Sequence, residues 1–417
     1  MIKQYFKQAL QMLRENPLVS VISIVGTALS ISMIMVIVLV FRINVAEYKP
    51  ESHRNRMLFV SGTRAYGENN SNNGQMSAEV IKACFYSLQV PQAVTGIRSD
   101  TRPISLPAKR LFKEYQVTYT DAGFWNIFDF TFLHGQPFTE ADFQSAIPRA
   151  VITSEVATQL FGTDDAIGQT LVLDYTSYTV AGIVEPVSTA AQHAYAEVWI
   201  PYTTNAALME NPYHEGISGS FSTMILAHSA SDFEKIKEEL SQTTERYNGS
   251  KRDMKVSFMN NPITQMDIAA GSNGFRKVAL SDYFLGMGFL LLFLLLVPAL
   301  NLTGTIQSSV QKRRAEIGIR KAFGATYRTL VGQIIAENML TTLIGGLSGL
   351  ALSFILLPVC KSFMLTDETV FTAEMLFKPE LFVAALFFVL ALNVLSAGVP
   401  AIRISRRNIV EALKDAE

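Results

Sequence analysis

Four uncharged, apolar stretches, residues 16–41, 283–311, 338–360 and 381–402, constrain what this chain can fold into more than any other feature. A helix rises about 1.5 Å per residue, so roughly 20 residues cross a hydrocarbon core about 30 Å thick, and every stretch meets that length. A charge at mid-bilayer costs about 2.5 to 3.5 kcal/mol on insertion scales. Accordingly Arg14, Arg42, Asp282, Lys312, Glu337, Lys361, Glu380 and Arg403 stand outside the stretches. With only 17% charged residues in 417, the chain is too apolar for an ordinary soluble protein of its size.

The reading is a membrane protein with four transmembrane α-helices, at 17–41, 283–305, 338–360 and 381–402. A large α+β extracytoplasmic domain, 43–281, is inserted between the first and the second. Basic residues near helix ends set orientation. Lys3, Lys7 and Arg14 precede the first helix, Lys312, Arg313, Arg314, Arg320, Lys321 and Arg328 follow the second, and Arg403, Arg406, Arg407 and Lys414 follow the fourth. The N-terminal segment 1–15, the connection 306–330 and the tail 403–417 are therefore expected in the cytoplasm. The connection 361–380, with Asp367, Glu368, Glu374 and Glu380, is expected outside. A net charge of −1 argues against a nucleic-acid partner.

Ile2, Phe6, Leu10 and Leu13 fall at helical spacing, so 1–15 reads as an amphipathic helix lying in the inner membrane surface; Asn16 and Pro17 then turn the chain into the first crossing. The first stretch exceeds a signal-peptide core and no small-x-small site follows it, so it is read as retained. Pro298 predicts a kink or a projecting end in the second crossing, whose uncharged stretch measures about 43 Å. Small residues four apart, Gly26 with Ser30 and Gly345 with Gly349, predict close helix packing.

Within 43–281, strand-like alternation falls at 115–120, 150–153, 170–174, 178–184, 198–202 and 224–227. Ser154 opens a helix to about Phe161, and Ser231 with Glu234 reads as a capping box ahead of Ile236 and Leu240. Residues 62–77, rich in Asn and Gly, read as a disordered polar loop. Cys84 and Cys360 read as unrelated thiols.

The chemistry of common enzymes is missing. The sequence has no Gly-x-x-x-x-Gly-Lys-Ser/Thr phosphate loop and no Gly-x-Ser-x-Gly elbow, and its histidines lack zinc spacing, so His193 and His214 read as surface residues. No catalytic residue, metal ligand or cofactor-binding residue is assigned. The informative cytoplasmic segment is QKRRAEIGIRKAFGATYR, residues 311–328. Ala315, Ile319, Ala322 and Phe323 share a helical face, Arg313, Glu316, Arg320 and Lys321 keep the other face polar, Gly324 ends the helix and Thr326 caps the next. These residues alone are consistent with docking into a partner's groove or with a basic loop resting on lipid headgroups.

The ten residues EIGIRKAFGA, 316–325, resemble the signature of the FtsX/MacB-type ABC transporter permeases. Independently, VTYTDAGFWNIFDFTFLHGQPFTEADF, RAVITSEVATQLFG, AIGQTLVLD and YTVAGIVEPV, between Val117 and Val187, are similar in order and spacing to the MacB-like periplasmic core. The resemblance implies a non-catalytic permease subunit of the bacterial inner membrane, multi-pass, with both termini cytoplasmic. It implies a cytoplasmic ABC ATPase dimer as partner, holding the ATP and magnesium this chain does not bind. It also implies a second permease copy or a homologous permease, membrane lipids, and a periplasmic adaptor or substrate protein. Arg313, Arg314, Glu316, Ile317, Arg320, Lys321, Phe323 and Gly324 match the family's coupling segment. The tail departs from the family pattern at Ile409, where relatives often carry proline. The implied work is ATP-driven movement of the outer domain for efflux or release of a peptide, drug or lipoprotein-type substrate. The alternative is an FtsX-like signalling subunit that transports nothing.

Overall fold

The computed structural model describes residues 17–106, 112–210, 213–312 and 326–364, with isolated positions at 319–324 and 380–394. These residues fall into two compact units, one of apolar helices and one, Arg42–Tyr283, of mixed α and β structure.

Helix α1 (Pro17–Val45), whose residues from Arg42 on belong to the mixed unit, begins at the proline whose fixed φ suits a first helical turn. The other long helices, numbered after three in the mixed unit, are α5 (Leu280–Lys312) and α6 (Tyr327–Met364). Among the described residues two spans, Ser20–Val45 and Asn338–Leu357, are long and apolar enough to cross a membrane; Leu280–Leu296 is apolar but shorter. Helix α5 runs unbroken through Pro298, and its 33 residues extend about 50 Å. The segment 1–15, Asn16, and most of 361–380 and 381–402 lie outside the described residues.

The mixed unit contains β1 (Met57–Val60), β2 (Thr63–Tyr66), β3 (Ser71–Met76), β4 (Ala93–Ser105), β5 (Lys113–Thr120), β6 (Phe132–Gly135) and β7 (Arg149–Thr153). Then come α2 (Ser154–Phe161), β8 (Thr170–Leu173), β9 (Thr176–Val184), β10 (Val198–Pro201), β11 (Ser218–Gly219), β12 (Ser222–Leu226), α3 (Phe233–Gly249), β13 (Lys255–Ser257), β14 (Ile263–Thr264) and α4 (Gln265–Ala269). One sheet has the order β14-β1-β12-β4-β5-β10-β7-β9-β6, with β8 pairing β4 and β9. The pairs β5–β10 and β7–β9 are parallel, and the others in this sheet are antiparallel. The central strands read as apolar runs because both of their faces are covered: every residue of β10 is buried. Helix α3 lays Ile236, Leu240 and Tyr247 into the same core, each aliphatic side chain contributing about 1.5 to 3 kcal/mol on full burial.

The strands expected at 115–120, 150–153, 178–184 and 224–227 are present with ends shifted by a few residues, and β10 gives way to a 3-10 turn at Tyr202. Two local expectations fail. Residues 62–77 are not a disordered loop: β2 and β3 form a hairpin in a four-stranded sheet, β11-β3-β2-β13. Residues 71 to 75 of β3 are not buried, so the strand is stabilised by its ladder and carries almost no apolar signal. The Ser231–Glu234 capping box does not form; the helix starts at Phe233, and Glu234 pairs instead with Lys237 at 2.7 Å. Helix α2 opens at Ser154 and runs to Phe161 as expected, with Thr153 before it as the cap, accepting from Val156 N–H at 3.3 Å.

Candidate functional site

Three arrangements can carry function, and the first is the turn between α5 and α6. Arg313, Arg314, Glu316, Ile317, Arg320 and Lys321 lie outside the described residues. Phe323 N–H bonds the carbonyl of Ile319 at 3.0 Å, a helical turn, and Gly324 follows with φ +90°, the left-handed region that favours glycine. Thr326 then caps α6, accepting from Thr329 N–H. Four residues apart, Ile319 and Phe323 share a face, and Phe323 is 89% exposed. Ile319 and Phe323 are both exposed, so the turn presents an apolar face beside Gly324.

The second arrangement is the crossing of α1 and α6. An added Cβ would stand 2.9 Å from Thr27 Cβ at Gly345 and 2.6 Å from the Ala28 carbonyl oxygen at Gly349. The two glycines thus let the backbones approach more closely than any side chain would permit. The face they meet consists of Ile24, Thr27, Ala28 and Ile31. Ser30 is buried and Gly26 is half-buried.

The third arrangement lies in the stretch 121–138. Asp121 is buried and accepts from Tyr86 Oη, Gly96 N–H, Thr95 Oγ1 and Phe124 N–H. Burial pushes its carboxyl up to about 6, against those hydrogen bonds, which favour the ionised form. Behind it Phe124, Trp125, Phe128, Phe130, Phe132 and Phe138 form an aromatic cluster with Trp199 of β10, at centroid distances of 4.7 to 6.5 Å. This packing fixes the loop that follows β5.

Neither of two open clefts adds a catalytic set. One of about 450 Å³ lies beside Ser77, Tyr213, His214, Ser218 and Phe221; another of about 480 Å³ lies beside Lys113, Glu155, Tyr195 and Glu197. Among the described residues no cluster of His, Cys, Asp and Glu could hold a metal ion. His193 and His214 are half-buried rather than surface groups: His193 stacks on Phe59 at 4.1 Å, and His214 bonds Ser218 Oγ at 2.8 Å. Burial lowers the His193 pKa. Tyr48, Glu51 and Arg54 carry no motif in the sequence, and their buried network is signalled there only by two charges placed just after an apolar helix.

Long apolar helices, two of them crossing on glycines, together with a separate sheet-rich unit at Arg42–Tyr283, are the architecture of a membrane-anchored chain with a large folded insert. Residues 20–243 match the MacB-like periplasmic core domain, and residues 288–409 match the FtsX-like permease C-terminal domain. The chain therefore belongs to the MacB/FtsX-like ABC transporter permeases, a membrane-embedded family whose members work with cytoplasmic ABC ATPases. It is 23% identical over 270 residues to the uncharacterized ABC transporter permease YknZ of Bacillus subtilis, covering 63% of this chain and 64% of that one. It is 26% identical over 242 residues to the pyoverdine export ATP-binding/permease protein PvdT of Pseudomonas fluorescens, covering 57% of this chain and 34% of PvdT. The chain thus spans less than two thirds of the length of these relatives. The solved periplasmic region of MacB from Actinobacillus actinomycetemcomitans aligns at 13% identity and TM-score 0.35, covering 50% of this chain and 90% of that region.

Proposed function

We propose that this chain is the permease subunit of an ABC transporter whose ATP hydrolysis takes place on a separate cytoplasmic ABC ATPase dimer. In this reading four helices, 17–41, 283–305, 338–360 and 381–402, cross the inner membrane with both termini in the cytoplasm. The chain pairs with a second permease copy or a homologous permease. The ATPase grips the segment 313–324, nucleotide-driven closure moves the helices, and the mixed unit on the outer side moves with them. The work done is efflux or release of a peptide, drug or lipoprotein-type substrate. The supporting observation is the exposed turn of Ile319 and Phe323, ended by Gly324 between two long helices, in a family whose members work with ABC ATPases.

The test is purification of the chain from its native membrane in mild detergent, with mass spectrometry of what accompanies it. An ABC ATPase in near-equal amount is the expected result. A preparation that keeps the permease dimer and contains no ATPase would refute the reading. Extrusion from reconstituted vesicles then separates a transporter from a signalling subunit, which moves no substrate.

A further inference from the structure

The last turn of α1 leaves carbonyls that the helix itself cannot satisfy. Ala46 N–H takes the Arg42 carbonyl at 2.7 Å, and Gln265 Nε2, on α4, donates to the Asn44 carbonyl at 2.7 Å. The Ile43 carbonyl is taken by Arg54, which is 2% exposed. All five guanidinium N–H groups of Arg54 are used. Nη1 reaches Ile43 O at 2.8 Å and Ala46 O at 3.1 Å, Nη2 reaches Tyr48 Oη at 2.7 Å and Ala190 O at 2.8 Å, and Nε reaches Glu51 Oε2 at 2.5 Å. The other oxygen of Glu51, which is fully buried, accepts from His193 N–H at 2.8 Å and Ala194 N–H at 3.0 Å. Tyr48 completes the set, its hydroxyl 2.5 Å from Ala190 O and its ring beneath the guanidinium.

One ion pair therefore ties the end of α1 to the segment 190–194, a few residues ahead of β10. Strand β10 lies between β5 and β7 in the large sheet, so displacement of 190–194 is passed to the sheet's centre. A desolvated ion pair adds little stability over an apolar pair of equal volume, because removing both charges from water offsets most of their attraction. What it does supply is a single geometry, since each donor has one acceptor and a rotated helix end would leave buried charge unpaired.

We propose that Glu51 and Arg54 form a rigid joint that passes movement of the end of α1 to β10, making Arg54 a positioning residue in the transport cycle. The inference rests on the transporter reading above. The joint makes Glu51→Leu with Arg54→Met a sharper test than either single change, which strands a buried charge.

The experiment uses the full chain in nanodiscs with the ATPase that co-purifies with it. A spin label replaces Glu238, an exposed position on α3, in a Cys360→Ser background, and the distance between protomers is read with and without ATP and vanadate. The unaltered joint is expected to give a nucleotide-dependent shift. The double variant is expected to lose that shift while vanadate-trapped nucleotide stays unchanged, which a failure to fold would not produce; its melting temperature falls, because Ile43 O, Ala190 O and the His193 and Ala194 N–H groups lose their partners. A full shift in the double variant overturns the joint and leaves the transporter reading standing. No shift with the joint intact, or no ATPase to co-purify, overturns that reading and the joint with it. Should the double variant misfold, Arg54→Lys carries the same two outcomes, because lysine keeps the charge but cannot span Ile43 O and Ala190 O together.

Discussion

Replacing Gly349 with alanine tests whether close backbone approach holds α1 against α6. The new Cβ would lie 2.6 Å from the Ala28 carbonyl oxygen and 3.0 Å from Ile31 Cβ. Carbon and oxygen ordinarily stand about 3.3 to 3.6 Å apart, so the helices must separate by about 0.7 to 1 Å. A gap of that size forfeits about a quarter to a half of each dispersion contact along the seam. Overpacking of this kind costs about 1 to 3 kcal/mol, while glycine to alanine in a helix returns up to about 1 kcal/mol. The net expectation is destabilisation by up to about 2 kcal/mol. Gly332, also on α6, is the internal control: no atom lies within 4 Å of its added Cβ, so Gly332→Ala receives the helix gain alone and is stabilised by up to about 1 kcal/mol. Equilibrium unfolding of both variants in the same detergent is the assay. Opposite signs are expected; equal shifts in the same direction would refute the packing argument.

Three further expectations follow from the other sites. Phe323→Ala should leave the unfolding free energy within about 0.5 kcal/mol, as an exposed position does, yet reduce the ATPase recovered with the chain; undiminished recovery would count against docking there. Asp121 has its folded pKa raised to about 6, so the unfolded chain loses its proton first and stability falls as pH rises from about 4 to 6, by about 3 kcal/mol at most. Melting curves across that window should show the fall in the parent and not in Asp121→Asn; parallel curves would refute the assignment. Cys84 is a free, buried thiol whose pKa burial pushes up to about 12, so maleimide in a Cys360→Ser background should label it only after denaturant is added. Rapid labelling of the folded chain would contradict its burial.

The sequence by itself determined the apolar stretches, most strands of the large sheet and the stop at Gly324. Each rests on a local property: chain length against bilayer thickness, alternation against a two-sided sheet, or a backbone angle that glycine adopts freely. It missed β3, where solvent-exposed residues give the periodicity nothing to show, and it placed the cap of α3 on a serine that the chain turns away. Only the tertiary structure decided which face of α1 meets Gly345 and Gly349, because four-residue spacing marks small residues without naming their partner. The same holds for Arg54. It is one basic residue among several in sequence, and its role appears only when folding brings Ile43, Ala190 and Glu51 within hydrogen-bond reach. Ala190 is 136 residues from Arg54, and a contact made across such a distance is set by the packing of the whole sheet, to which no local pattern refers.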